Sequence, residues 1–407
     1  MAIIQPYQSG RADYGVDDFA VVDTDFTVEG SIHVQSDPKP TVPIQFFSAA
    51  MVLVAEIDDY IYFTFNEKWY EIDSWEMQVN RYAVGVDKIV IGGFARFYHG
   101  SKEHIGIIEK IESPVGLGGK ASETWKISGR GVEAALSFRI CMTDTASGTG
   151  YHATNDKAET IMRHYVDAEC INPTDAKRVI TGLTLAADSA RGATIKYNAR
   201  LQPLTDVLYD ICTASGLSYG LVWSGSGLNF TFTVYAGTDR SSTVVLSPEY
   251  DNIETMNYYQ SSIDMKNVAY GGGTGDAAAR TVREYYSGTE PEYWGRRELF
   301  IEASDCLDST AIDDRSKSVL ATKSVATAFE VNYLESNTFV FGTDFTIGDT
   351  VKVVFPNLVT ASYQIVSTSQ TINKAGVKTV LGFGKTIKNL QSVLMDLTKE
   401  QSATLRR

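Results

Sequence analysis

The stretch 341–355, Phe-Gly-Thr-Asp-Phe-Thr-Ile-Gly-Asp-Thr-Val-Lys-Val-Val-Phe, narrows the folds open to this chain more than any other. Gly342 and Gly348 supply left-handed backbone without a Cβ clash, and Asp344 and Asp349 can accept hydrogen bonds from backbone N–H groups close by. Val351, Val353 and Phe355 then alternate with Thr350, Lys352 and Val354, so one face of the strand that follows is strongly apolar. Two further β-rich runs, 362–371 and 378–384, are separated by a turn at 373–376. Short strands joined by tight turns mark a small β-barrel or sandwich, placed here at 336–386.

The same order lies early in the chain. The runs 89–97, 105–113 and 124–129 repeat an apolar strand, a turn, an isoleucine-rich strand, a Gly/Lys turn and a closing strand that ends in glycine. Glu109-Lys110-Ile111-Glu112-Ser113 takes the place of Ile365-Val366-Ser367-Thr368-Ser369, and Lys126-Ile127-Ser128-Gly129 that of Thr379-Val380-Leu381-Gly382. The letters differ and the pattern is shared. It predicts two similar small β-barrels, at 51–140 and 336–386, in a mainly β chain. Trp75, Met77 and Val79 alternate with Glu76, Gln78 and Asn80, which marks a half-buried strand. A hairpin of 60–65 and 69–72, turning at 66–68, precedes it, and its aromatic rings read as core filling.

Helical periodicity enters between the two. After a short helical turn at 129–140, Thr154 or Asn155 offers a cap, Asp156 and Glu159 sit in the opening turn, and Ala158, Ile161, Met162, Tyr165 and Val166 share a face. In a second helix Pro203 takes the first position, Leu204, Val207, Leu208, Ile211 and Cys212 make the stripe, and Gly216 stops it. A hairpin of 217–223 and 229–235 follows, giving an α+β middle module at 141–250. A second module at 251–335 carries strands at 254–260, 266–271, 280–286 and 296–303 and a helix at 309–325; its residues 251–271 can lend strands to the second barrel. Residues 1–50 read as an irregular N-terminal arm, and 387–407 as an amphipathic helix with Leu390, Val393, Leu394 and Leu397 as its interface stripe.

Charge and missing motifs exclude much. Fifty Asp and Glu against 36 Lys and Arg leave −14, the wrong sign for gripping duplex DNA. The longest apolar run, 49–55, is too short to cross a bilayer, so no membrane anchor is expected, and residues 1–6 show no basic region of a secretory leader. Cys141, Cys170, Cys212 and Cys306 are scattered without a CxxC pair and read as buried thiols of a protein made in the cytoplasm. Among the five histidines there is no HExxH pair, and His99 and His104 flank a turn, where an imidazole is ordinarily solvated. No Gly-x-Ser-x-Gly elbow is present, and Gly271 to Gly275 lacks the Gly-Lys-Ser/Thr ending of a phosphate loop. Acidic pairs such as Asp58-Asp59 and Asp313-Asp314 read as solvated faces. Neither catalysis nor a cofactor or metal is expected.

Four short motifs stand in a telling order. They are Arg130-Gly-Val-Glu-Ala-Ala-Leu-Ser-Phe-Arg139-Ile, Ala158-Glu-Thr-Ile-Met-Arg-His-Tyr-Val166, Tyr235-Ala-Gly-Thr-Asp239-Arg240, and Asp344-Phe-Thr-Ile-Gly348-Asp349-Thr-Val. The succession, over about residues 57–384, resembles that of siphophage tail-hub proteins, which share a fold with contractile-phage baseplate hubs and type VI secretion spikes. On this resemblance Arg130, Arg139, Asp239, Arg240, Asp344, Gly348 and Asp349 are structural positions rather than catalytic ones.

The resemblance implies a homotrimer in which two barrels per subunit form a pseudo-sixfold ring. Such a ring caps the tail tube, adapts sixfold to threefold symmetry, and takes part in host attachment and channel opening. The implied partners are the distal tail protein, the tail tube and the tape-measure protein, with a tip or fibre protein at the C-terminal helix. Genome DNA passes through the channel without specific binding, and the protein resides in the virion tail tip. Many relatives continue into a fibre, lysin or receptor-binding region that has no counterpart in this reading. Two other functions stay open. A carbohydrate-binding adhesin is motivated by the 11% aromatic content, and a cell-wall hydrolase by the acidic clusters.

Overall fold

The computed structural model describes residues 42–384, apart from 114–121, 143–151, 276, 289–294, 305, 307, 335–338 and 356–358. Most of the expected N-terminal arm and all of the C-terminal helix, with Leu390, Val393, Leu394 and Leu397, lie outside the described residues. The first eight strands are β1 (Ile44–Phe47), β2 (Leu53–Ile57), β3 (Tyr60–Lys68), β4 (Ser74–Asn80), β5 (Phe94–His99), β6 (Lys102–Ile107), β7 (Lys110–Glu112) and β8 (Thr124–Arg130). Next come β9 (His152–Lys157), α1 (Ala158–Val166), β10 (Leu183–Leu185), β11 (Thr194–Ala199), α2 (Leu204–Ser215), β12 (Ser218–Trp223) and β13 (Phe230–Tyr235). The remainder is β14 (Val245–Leu246), β15 (Ile253–Ser261), β16 (Val268–Gly272), β17 (Val282–Tyr286), β18 (Glu298–Glu302), α3 (Ser309–Thr322), β19 (Ala326–Tyr333), β20 (Thr350–Phe355), β21 (Val359–Asn373) and β22 (Gly376–Gly384).

Period-two patterning produces the strands as expected, and neighbours decide their ends. Trp75, Met77 and Val79 of β4 are almost wholly buried while Glu76 and Gln78 are not. β3 runs through to Lys68, so 66–68 is strand and not turn. Residues 69–72 form the connection to β4, where the Lys68 N–H donates to Asp73 Oδ1 at 2.9 Å. β5 begins at Phe94 and not at Ile89, because Gly85, at φ 87, opens a 3-10 turn over Val86–Lys88. Thr154 and Asn155 cap nothing. β9 pairs with β11 as far as Lys157, and the first N–H groups of α1 donate to the Ala193 and Arg191 carbonyls. The expected stripe of α1 is buried nonetheless. α2 keeps the expected stripe and ends on Gly216 at φ 75.

Part of the strand set expected to form the first barrel, β3, β4, β7 and β8, and all of the set expected to form the second share one ten-stranded sheet. Its order is β15-β19-β22-β21-β3-β4-β8-β7, with β20 paired to β21 and β14 to β20. β21 makes this possible by its length. Its first part, 359–364, pairs with β20, and its last part pairs with β3 from Ser367↔Lys68 to Asn373↔Tyr62. The Thr64 and Thr371 hydroxyls meet across that ladder at 3.1 Å, and Ser369 Oγ donates to Asn66 Oδ1 at 2.7 Å. Among the described residues neither strand set closes its ladder into a barrel. The first is a pair of sheets facing one another, and the second stays within the ten-stranded sheet.

In the first set, the sheet β2-β1-β5-β6 covers β3, β4 and β8, and Phe46, Phe63, Phe65, Trp75, Met77 and Phe97 fill the space between. A bridge of Gly106 to Gly131 joins the layers at one corner. In the second, β19 to β22 with β14 and β15 enclose Phe329, Val331, Phe345, Val351, Val353 and Phe383. A third core lies around α1, α2 and the hairpin β12–β13, and it also takes in Phe47, Phe94 and Ile105 of the first set. Finally, β17-β16-β18 packs against α3 through Ala269, Ile301 and Leu320.

If β3 and β21 form one ladder, their amides should open together. Hydrogen exchange of the folded chain should therefore give Phe63–Phe65 and Ser369–Thr371 protection equal to that of β22. Fast exchange in β3 beside a protected β22 would show that the two halves are separate sheets.

Candidate functional site

Where the first, second and third cores meet, Trp69 acts as a common pin. It lies in the β3–β4 connection and is 5% exposed. Its backbone N–H donates to the Val366 carbonyl of β21 at 2.9 Å. Its indole N–H donates to the carbonyl of Gly216, the residue that caps the C-terminus of α2, at 3.0 Å. Its ring lies against Gly348, which sits at φ 88, so that a Cβ there would overlap the indole. Next to it Tyr70 donates to Gln364 Oε1 at 2.8 Å, and Gln364 in turn donates to the Gly348 carbonyl at 2.9 Å.

The structure brings together part of the residue set drawn from sequence. Asp349 is 3% exposed and accepts from the Thr238 N–H at 2.8 Å, the Thr346 N–H at 3.1 Å and Arg240 Nε at 2.9 Å. The 235–240 and 344–351 motifs thus form one latch, tightened by a bridge of Asp239 to Thr350. Asp239 itself accepts from the Ser241 N–H at 2.9 Å, which orders its turn. Asp344 accepts from the Val340 N–H at 2.7 Å and closes the turn that carries Phe341. Arg130 and Arg139 stand apart from the latch. Arg130 forks onto the Glu109 carboxylate at 2.6 and 2.9 Å, and Arg139 Nε donates to the Arg178 carbonyl at 2.7 Å.

Beside Trp69 lies a cavity of about 210 Å³ that the sequence reading missed. Its polar lining comes from β3 (Glu67), the β3–β4 connection (Asp73), β6 (Lys102, His104), the 3-10 turn Val132–Phe138 (Glu133) and β13 (Tyr235). His99 closes the cluster from the end of β5. The expectation of a solvated histidine pair is overturned, since His99 is 2% and His104 8% exposed. The hairpin turn between them is only Gly100 and Ser101, and both rings fold back inside. His99 stacks on Phe341 with centroids 4.7 Å apart, and His104 lies 4.4 Å from the Phe65 ring. At the turn itself, Gly100 meets the Gly342 backbone and Ser101 Oγ donates to the Gly342 carbonyl at 3.1 Å.

Glu67 is the centre of this cluster. One carboxylate oxygen faces His99 Nδ1 at 3.2 Å, and the other takes the Lys102 ammonium at 2.6 Å and faces His104 Nε2 at 4.0 Å. His104 Nδ1 faces Asp73 at 3.8 Å. Burial alone would raise Glu67, but the hydrogen bond to His99 and the Lys102 ammonium reverse the sign and hold its carboxyl below the usual range. Asp73 and Glu133 lack such a cation at contact distance, and burial, reinforced by neighbouring carboxylates, pushes both up. Burial also pushes His104 down, to about 3, so its imidazole is neutral. The signal was present in the sequence. Glu67 and His99 continue the inward phase of Phe63-Phe65 and of Ala95-Phe97.

The model of the family described as Siphovirus ReqiPepy6 Gp37-like protein matches residues 43–385. The chain belongs to that family. Members of its wider fold are known structurally. The family fold seen here is similar to the 43 kDa tail protein of prophage MuSo2 from Shewanella oneidensis, with TM-score 0.54 and 14% identity over 84% of this chain and 98% of that one. It is also similar to the tail protein from Neisseria meningitidis MC58 (TM-score 0.51, 15% identity, 84% and 96% covered). Prophage tail protein gp18 from Listeria monocytogenes EGD-e gives TM-score 0.50 and 12% identity, with 88% and 98% covered. This siphovirus family member thus has the mainly β fold of phage tail proteins. No sequence among curated proteins matches it significantly.

Gly348→Val should cost the folded state roughly 2–5 kcal/mol, combining left-handed strain with overpacking against Trp69. Arg240→Ala should cost less, about 1–3 kcal/mol, since Asp349 keeps its two backbone donors. Urea midpoints of the two variants check both the size and the order.

Proposed function

We propose that the chain is a structural hub of the tail tip of a long-tailed bacteriophage, assembled as a homotrimer. One observation carries this reading: the β3–β21 ladder holds two β systems of one chain edge to edge. Three such chains present six β systems around an axis, which is the arrangement needed to meet a sixfold tube with a threefold tip. Family membership and likeness to tail proteins in fold support a place in the virion tail. A closed ring needs a heterologous interface that returns on itself. β15 and β7 end the sheet and leave edges without a strand partner among the described residues, which suits them to pairing with a neighbour.

In this reading 51–140 and 336–386, with strands drawn from 251–271, are the two ring units. The modules 141–250 and 251–335 close or carry the tip. The Asp349–Arg240 latch, Asp239, Asp344 and Gly348 hold the second ring unit on the middle module, while Arg130 and Arg139 brace the passage from the first. The tail tube, the distal tail protein and the tape-measure protein are its partners on one side. A tip or fibre protein meets Leu390, Val393, Leu394 and Leu397 on the other. The protein works by assembly and opening, without catalysis or a cofactor. A net charge of −14 makes the channel wall repel genome DNA and lets it slide. The hub is preferred to a carbohydrate-binding adhesin because large rings such as Trp75, Phe63, Phe65, Phe97 and Phe329 fill cores.

A reconstruction of the assembled tail tip tests this directly. Three copies around the axis with six β systems in one ring are expected. Sixfold copies, or a single copy at the periphery, would overturn the hub.

A further inference from the structure

The Glu67, His99 and His104 side chains are all buried, and one candidate ligand atom from each lies within 4.8 Å of the others. We propose that this cluster is a transition-metal site, with Zn²⁺ as the best-fitting ion. Two imidazoles and a carboxylate form a donor set of borderline softness, suited to Zn²⁺ and Co²⁺ and unlike the all-oxygen sets of Ca²⁺ or Mg²⁺. Tetrahedral ligands at about 2.0–2.1 Å from zinc stand about 3.4 Å apart, so a separation of 4.8 Å has to close by about 1.4 Å.

Two independent observations point to a ligand. First, His104 Nε2 is buried, has no hydrogen-bond partner among the described residues and lies 4.0 Å from Glu67, while His99 turns its Nδ1 to the same carboxylate at 3.2 Å. A buried, unmatched imidazole nitrogen is costly unless something binds its lone pair. Second, the surroundings orient the donors. Asp73 lies 3.8 Å from His104 Nδ1 and Glu67 4.0 Å from its Nε2, so a small closure would give the carboxylate–histidine relation that commonly supports a metal-bound imidazole. The cavity of about 210 Å³ reaches Glu67 and His104, and leaves room for a water as the fourth ligand.

Lys102 is the competitor. Its ammonium holds Glu67 Oε1 at 2.6 Å, and its side chain is 45% exposed, so it can swing to solvent when a cation takes its place. Metal and Lys102 therefore share one carboxylate and exclude each other. A bound ion would tie β3, β5 and β6 together directly beneath Phe341, which stacks on His99. The site would thus stiffen the junction between the first and second cores.

The test uses the full chain, stripped with chelator and titrated with CoCl₂ and ZnCl₂. The expected results are one equivalent bound, a raised Tm, and the intense visible bands of tetrahedral Co²⁺. X-ray absorption of the zinc-bound chain should show two imidazoles and oxygen, with no sulfur. His104→Gln should weaken binding at least about 10-fold, and Lys102→Met should tighten it. Absence of the cobalt bands in the unaltered chain would overturn the proposal, as would a sulfur-containing ligand shell. So would a Lys102→Met chain that binds no tighter, a variant whose exposed side chain can be replaced without emptying the core. If His104→Gln does not fold, the ligand shell of the unaltered chain decides.

Discussion

The backbone of a single strand, β21, has to satisfy more neighbours than one sheet normally provides. Along one side its hydrogen-bonding groups go to β22; along the other they go first to β20 and then to β3. Its fifteen residues are long enough to pass from one core into the next, and a register shift at Ile365/Ser367 marks the crossing. Everything near the junction depends on that passage. Trp69 can reach both Gly216 and Gly348 only because its own N–H is held by Val366, one residue before the β3 ladder begins. The latch of Asp349 on Arg240 then holds the segment after β13 against the same point.

A polar cluster in such a place is expensive in isolation, and its arrangement explains how it persists. Among the described residues of this cluster, Glu67 alone of the three carboxylates has a cation within hydrogen-bond distance; Asp73 and Glu133 are pushed by burial towards their neutral forms. The aromatic neighbours of the histidines, Phe65, Phe97 and Phe341, belong to different cores, so the cluster is walled by hydrophobic surface on several sides. Polar groups enclosed like this specify one relative placement of their carriers, since a shift would leave charges unmatched.

Local periodicity explains what could be read from the letters. The alternation of β4, the stripe and glycine stop of α2, and the Gly348–Asp349 turn depend on nearest neighbours, and each is found where the pattern put it. Elements whose limits are set by distant partners were less legible. β9 runs to Lys157 because β11 pairs with it, and β3 continues through Glu67 because β21, some 300 residues away, covers its edge. His99 and His104 look like turn residues in the sequence, yet their strand phase points both inward. Reading phase ahead of residue type would have found Glu67 and His99. It would not have found Asp73 or Glu133, which reach the cavity from a strand connection and a 3-10 turn.

The β3–β21 ladder also bears on mechanics. Its seven residue pairs sit side by side, in parallel, so a force that separates the first core from the second must break them together and not one after another. Among the described residues the two cores are joined by this ladder, so separating them within one chain means breaking it. In the proposed trimer, freedom of movement would therefore be found at the boundaries between chains and not across this ladder. A widening of the assembly would then resemble the parting of rigid staves, with each chain keeping its shape throughout.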